Sequence, residues 1–169
     1  VTIRLYDTVS REVRPLTPLV EGKVGIYLCG LTVQSEPHVG HVRSAVNFDL
    51  LRRWLTHRFG RVTYVRNVTD IDDPLLERAD RDGVDWRALA ESQVALFSED
   101  MAALRIIAPE TYRSVSEAMD EIIATVDTLR ERGRAYQVPT PDAEGDDWYH
   151  DLSLDGALGD VSGWTEEQM

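Results

Sequence analysis

The chain has 169 residues, 43% of them hydrophobic and 28% charged, which suffices for one hydrophobic core and matches ordinary soluble globular proteins. Its formal net charge of −12 has the wrong sign for a domain that holds nucleic acid by itself, so a polynucleotide partner would need a basic surface elsewhere, while a small molecule would need none. No apolar run approaches the roughly 20 residues of a membrane span, no basic-then-apolar leader precedes Ile3, and a single cysteine excludes an internal disulfide; the expectation is a cytoplasmic protein with no membrane partner.

Ile3 to Asp7 alternates apolar and polar residues and predicts an edge strand. Val13 to Pro18, with two prolines, reads as a connector or a second edge. Glu21-Gly22-Lys23 signals a turn, and Val24-Gly25-Ile26-Tyr27-Leu28 is a short apolar run that reads as a buried strand. A helix follows from Val42 to Arg58, with an onset near Pro37 also compatible with the pattern. Its apolar residues form two stripes, Ala45, Phe48, Leu51 and Leu55 on one, Val46, Leu50 and Trp54 on the other. Coverage that wide predicts packing on more than one side. Arg52, Arg53, His57 and Arg58 gather in the last turns, where they suit the negative end of the helix dipole. Gly60 is a C-terminal stop, and the β-branched and aromatic run Val62 to Val68 predicts a second core strand. Strand, helix and strand over about residues 24–70 make a βαβ unit with parallel strands and a right-handed crossover.

From about residue 74 to 136 the pattern is helical. Pro74 fits a first helical position, Gly83 breaks the helix, and Trp86 to Leu104 recovers the period with Ala90, Val94, Phe97 and Met101. Ala108-Pro109 ends that segment. Ser114 and Glu117 have capping-box spacing, and Val115, Met119, Ile122, Ile123, Val126 and Leu129 mark an apolar stripe running to Gly133. Trp86, Phe97 and that stripe are expected in the core. Pro139 to Asp147 reads as a loop, Trp148 to Asp151 as a short strand, and the remainder as loop.

Everything is organised around Cys29 to Ser44. Strand, Gly-containing turn and helix place a helix N-terminus at the carboxyl end of a parallel sheet, where α/β proteins bind phosphates. The turn carries a thiol (Cys29), two hydroxyls (Thr32 and Ser35), and His38 and His41, three apart with Gly40 between them. That spacing puts the imidazoles on one helical face, and Gly40 would let a nucleotide lie against bare backbone. A lone cysteine that ends a strand is by itself as readily a small buried hydrophobe. The bland alternative for the histidines is helix-cap or surface residues. Asn67 and Thr69, at the end of the second strand, could cap the next turn. Asp70, Asp72 and Asp73 read as helix-capping acids, because they lack the Gly and distal Glu of a calcium loop.

Pro37-His38-Val39-Gly40-His41 resembles the His-Ile-Gly-His motif of class I aminoacyl-tRNA synthetases, with Val for Ile. Together with Cys29-Gly30, Asn67-Val68-Thr69-Asp70-Ile71-Asp72-Asp73 and Leu5-Tyr6-Asp7-Thr8, it resembles the cysteinyl-tRNA synthetase family and its relative, the mycothiol cysteine ligase. The resemblance runs from Ile3 to about Tyr136 and faintly to Met169. It implies an α/β fold: the N-terminal part of a class I synthetase Rossmann-like nucleotide-binding domain, with a parallel sheet and following helices, spanning residues 1–169. The second half of that fold and its lysine-bearing lid are not in this sequence, so the chain would be a fragment, a half completed by a second chain, or a truncated protein.

The resemblance also implies roles. His38 and His41 would hold the phosphates of ATP and stabilise charge on the α-phosphate. Cys29, Gly30, Leu31, Thr32, Gly40, Ser44, Asn67, Val68 and Thr69 would contact the substrate or the cysteinyl-adenylate. Cys29 would be one thiolate ligand of a zinc ion that recognises the thiol of L-cysteine, with the other ligands outside this chain and His150 a weak candidate. The leading expectation is ATP-dependent activation of L-cysteine and its transfer to tRNA(Cys). The alternatives are transfer to a small amino-sugar acceptor, glucosaminyl-inositol, and a non-catalytic binding module. Asp73-Pro74-Leu75-Leu76-Glu77-Arg78-Ala79 and Val161 to Met169 resemble the ligase; Thr32-Val33-Gln34 and His41-Val42-Arg43-Ser44 resemble the synthetase.

Overall fold

A computed structural model of the chain describes residues 2–141 and 145–168. The centre of the loop expected over Pro139 to Asp147, and the terminal Met169, lie outside the described residues. The chain divides into two compact units, one spanning Pro18–Met119 and the other Val1–Thr17 with Asp120–Met169.

At the N-terminus β1 (Arg4–Asp7) pairs antiparallel with β2 (Glu12–Pro15), so the second edge forms as a hairpin and not as a connector. Pro15 closes β2 where its missing N–H costs no ladder bond.

The Pro18–Met119 unit holds the predicted βαβ element. β3 (Val24–Leu28) and β4 (Val62–Val68) pair in parallel, with Leu28 opposite Arg66. The connecting helix α1 runs Val39–Phe59 and stops at Gly60, whose φ of 86° suits only glycine. α2 (Asp73–Asp82) begins from an Asp72 cap, which makes Pro74 its second and not its first helical residue, and ends at Gly83 in the left-handed region. α3 (Trp86–Ala103) starts from Asp85, whose carboxylate accepts the N–H of Ala88 at 2.9 Å.

A strand absent from the sequence reading follows. β5 (Thr111–Ser114) pairs in parallel with β4, giving a three-stranded sheet in the order β3-β4-β5. Side chains of α1 help place it. Asp49 accepts the N–H of Ile107 at 3.0 Å, and buried Arg52 donates to the carbonyls of Ile107 (3.2 Å) and Ala108 (2.7 Å) and to Glu110 (2.7 Å). Glu110 in turn accepts the N–H of Tyr64 in β4. Arg52 and Arg53 therefore do more than suit a helix dipole: Arg53 also reaches the Arg105 carbonyl at 2.8 Å.

Leu31, Val33, Ala45, Val68, Leu75, Ala90, Phe97 and Met101 form the core, with Trp86 and Val94 packed against it. It lies on the sheet face that α1 and α3 cover. Only one of the predicted stripes of α1 is buried. Leu50 and Trp54 on the other are 60% and 53% exposed, so the helix packs on one side in this chain.

The Ser114–Glu117 capping box forms as expected: Glu117 accepts the N–H of Ser114 at 3.1 Å, and the Ser114 hydroxyl accepts the N–H of Glu117 at 3.2 Å. A short 3-10 turn and then α4 (Met119–Glu131) follow. The expected burial of its apolar stripe does not occur, since Ile122 and Ile123 are exposed and α4 holds no buried residue. Beyond it β6 (Ala135–Val138), also absent from the sequence reading, pairs antiparallel with the expected strand, β7 (Asp147–His150). Among the described residues no helix is long and apolar enough to cross a membrane.

Candidate active site

The ends of β3 and β4 are locked together where the organising turn begins. The Gly30 N–H donates to the Asn67 side-chain oxygen at 2.8 Å, and the Tyr27 hydroxyl donates to the same oxygen at 3.1 Å. A Cβ on Gly30 would lie 1.6 Å from the Asn67 carbonyl oxygen. Glycine is therefore required by close backbone approach, and not only by a turn.

The parallel ladder continues past the strands. Thr69 N–H donates to the Leu31 carbonyl at 3.0 Å and Val33 N–H to the Thr69 carbonyl at 3.3 Å, so Thr32 and Thr69 pair side by side. Residues paired in this way share a sheet face. Leu31 and Val68 belong to the core, which leaves their backbone, not their side chains, to meet a ligand. Cys29 is exposed at the end of β3. Ser44 sits half-buried in the second turn of α1.

The two histidines meet at the N-terminus of α1, their rings stacked 3.9 Å apart at 26°. The structure shows both histidines as part of a helix cap. His38 is the N-cap: its Nδ1 accepts the Gly40 N–H at 3.1 Å, and His41 Nδ1 accepts the His38 N–H at 3.4 Å, a capping box made from imidazoles. A nitrogen that accepts cannot carry the proton, so both neutral rings hold it on Nε2. When neutral, each ring thus has an Nε2–H with no partner among the described residues, beside a helix N-terminus, which already favours anions. Gly40 is exposed, with the His38 ring beside it, and a Cβ there would meet that ring at 2.8 Å.

Burial lowers the pKa of His41 below 6.5, and repulsion from His38, should both rings be protonated, and from the Arg66 guanidinium pushes it the same way. Arg66 escaped the sequence reading. It is a buried guanidinium in β4 over the Phe97 ring at 5.5 Å, with no hydrogen-bond partner for Nε among the described residues. Its signal was available, as an arginine at the core-facing phase shared by Tyr64 and Val68.

Of the three aspartates, only Asp72 caps α2, accepting the Asp73 N–H at 3.0 Å. Asp70 instead joins β4 to the end of β5: it accepts both the backbone N–H and the hydroxyl of Ser116. Burial raises its pKa, but those hydrogen bonds outweigh that and hold it below 3.8. Among the described residues no group of three or more His, Cys, Asp and Glu side chains could hold a metal ion. The residues present do not fit a zinc site; Cys29 is a single donor, and His150 in β7 belongs to no such group.

The family model that matches this chain is described as tRNA synthetases class I (C) catalytic domain, over residues 15–169. A Brachybacterium faecium protein named L-cysteine:1D-myo-inositol 2-amino-2-deoxy-alpha-D-glucopyranoside ligase is 61% identical over 167 residues, covering 99% of this chain and 40% of that protein. A Clavibacter michiganensis protein of the same name is 48% identical, covering 98% of this chain and 41% of its own length. The chain therefore spans about two fifths of the curated relatives it matches. Among solved structures, Mycobacterium tuberculosis methionyl-tRNA synthetase in complex with methionyl-adenylate superposes with a TM-score of 0.56 at 22% identity, over 68% of this chain and 23% of that one. That likeness establishes the α/β fold of class I catalytic domains.

Proposed function

This chain belongs to the tRNA synthetase class I (C) catalytic-domain family, and from that premise we propose that the full-length protein is an ATP-dependent cysteine ligase acting on an amino sugar linked to inositol. These residues would be the N-terminal part of its catalytic domain, with the rest of the fold supplied by further chain or a second polypeptide. The observation that carries the activation step is the histidine capping box, which leaves two Nε2–H donors at a helix N-terminus on the rim of a parallel sheet. In the first step the carboxylate of L-cysteine attacks the α-phosphate of ATP, and pyrophosphate leaves. His38 and His41 hold the phosphate oxygens, and their fixed donors stabilise the charge that builds there. Cys29, Gly30, Thr32, Asn67 and Thr69 border the cysteinyl group, and Ser44 lies beside the adenylate. In the second step an amine attacks the activated carbonyl carbon, an amide forms, and AMP leaves.

The relatives' names favour the amino-sugar acceptor over tRNA(Cys), and the net charge of −12 agrees, since a small acceptor needs no basic surface. The test uses the full-length protein with cysteine and ATP, supplied in turn with glucosaminyl-inositol and with tRNA(Cys). Amide formation on the amino sugar with an uncharged tRNA is the expected result. Charging of the tRNA would restore the synthetase reading, and no ATP–pyrophosphate exchange at all would leave a binding module.

A further inference from the structure

Arg66 in β4 is 7% exposed. A guanidinium cannot shed its charge in a protein, so burying one is costly unless an opposite charge and hydrogen bonds compensate. Compensation here is partial. The Phe97 ring lies 5.5 Å away, and the Tyr64 hydroxyl lies close enough to hydrogen-bond it, but neutral groups leave the charge standing. Among the described residues Arg66 has no ion pair, and its Nε has no hydrogen-bond partner. The carboxylates that hold the neighbouring segment 107–110 are already taken: Glu110 pairs with Arg52 at 2.7 Å and Asp49 with Arg53 at 2.7 Å. Arg52, Arg53 and Arg66 thus set three positive charges against two negative ones. A cavity of about 160 Å³ lies against Arg66, walled by Phe97, Met101, Ile106 and Pro109. Arg66 is the only charged side chain among the described residues that line it. The cavity is below the roughly 300 Å³ at which pockets begin to hold drug-sized ligands or cofactors.

We propose that this cavity is a carboxylate site, in which the terminal nitrogens of Arg66 hold both oxygens of one carboxylate and the apolar walls take its hydrocarbon end. The fork of a guanidinium matches the two oxygens of a carboxylate. The excess of one positive charge calls for a monoanion; water would satisfy the hydrogen bonds and leave the charge buried. The carboxylate has two possible sources with the same chemistry at Arg66, a small free acid or an Asp or Glu side chain from chain outside these residues. Occupancy would also screen the Arg66 charge that reaches His41, which couples the cavity to the first turn of α1 without contact. The proposal does not rest on the ligase reading.

A crystal structure of the full-length protein grown with sodium acetate identifies the occupant. Thermal denaturation in sodium acetate against sodium chloride of equal ionic strength tests it in solution, on the wild type, Arg66→Met and Ala102→Phe. Arg66→Met keeps an apolar stem and removes the charge. Ala102 is exposed and lines the cavity, so a ring there fills it while Arg66 stays. Acetate on the Arg66 guanidinium, with a rise in thermal midpoint that both variants lose, supports a free acid as occupant. An Asp or Glu side chain from the rest of the chain on Arg66, with no acetate dependence in the wild type, supports the internal source. Water alone at Arg66 overturns the site. So does acetate seen in the crystal but stabilising all three proteins equally in solution, which is binding at crystal concentration only.

Discussion

We propose that His38 and His41 do two jobs with separate atoms. Nδ1 of each ring satisfies a backbone N–H at the start of α1, and that bond fixes the tautomer that leaves Nε2–H for a ligand. Burial lowers the pKa of His41, and repulsion between two protonated rings and from Arg66 pushes it the same way, which favours the neutral ring. As pH falls below 6.5 the unfolded chain takes up this proton before the folded one, so the contribution to stability is complete above 6.5 and is lost as pH drops towards the lowered folded pKa. An NMR titration of the His41 ring should give a midpoint below 6.5; a midpoint at or above that value would mean that neither burial nor Arg66 acts on it. The resemblance pointed to these histidines by residue number, yet their capping geometry was not legible, because histidine is not among the usual N-cap residues.

Elements whose signal is local were legible. β3 and β4 announced themselves by β-branched and aromatic runs, α2 and α3 by their period and by Gly83, and the Ser114–Glu117 box by spacing alone. β5 was not, because Thr111-Tyr112-Arg113-Ser114 is too short to alternate convincingly. Contacts made far back in sequence help to fix it: Asp49 and Arg52 of α1 hold residues 107–110. Arg52→Met should therefore cost about 3 kcal/mol of stability, as for other buried ionic groups that lose a partner, and should loosen the β4–β5 edge first. Urea denaturation with amide exchange at Val65 to Val68 measures both. Unchanged stability would show that the packing of α1 and α3 places β5 without the arginine. The α4 stripe failed in the opposite sense, since its period is helical but Ile122 and Ile123 remain exposed; periodicity predicts a face and not what covers it.

At the scale of the whole molecule, the described residues give a three-stranded parallel sheet with β3 and β5 at its edges. Tyr27 is 66% exposed on the face away from α1 and α3. Relatives of the same family are some two and a half times as long, and the reaction is assigned to the full-length protein for that reason. We propose that this chain contributes contacts to cysteine at the ends of β3 and β4 together with the paired imidazoles of α1. The most direct test of that claim separates the two roles of His38 by replacing it with asparagine, which caps a helix well but has no Nε2. For the full-length protein carrying His38→Asn, thermal stability should stay near wild type while cysteine-dependent ATP–pyrophosphate exchange falls about 100-fold, the usual cost of one lost transition-state donor. Exchange at the wild-type rate would contradict the account and leave His38 as a helix cap alone.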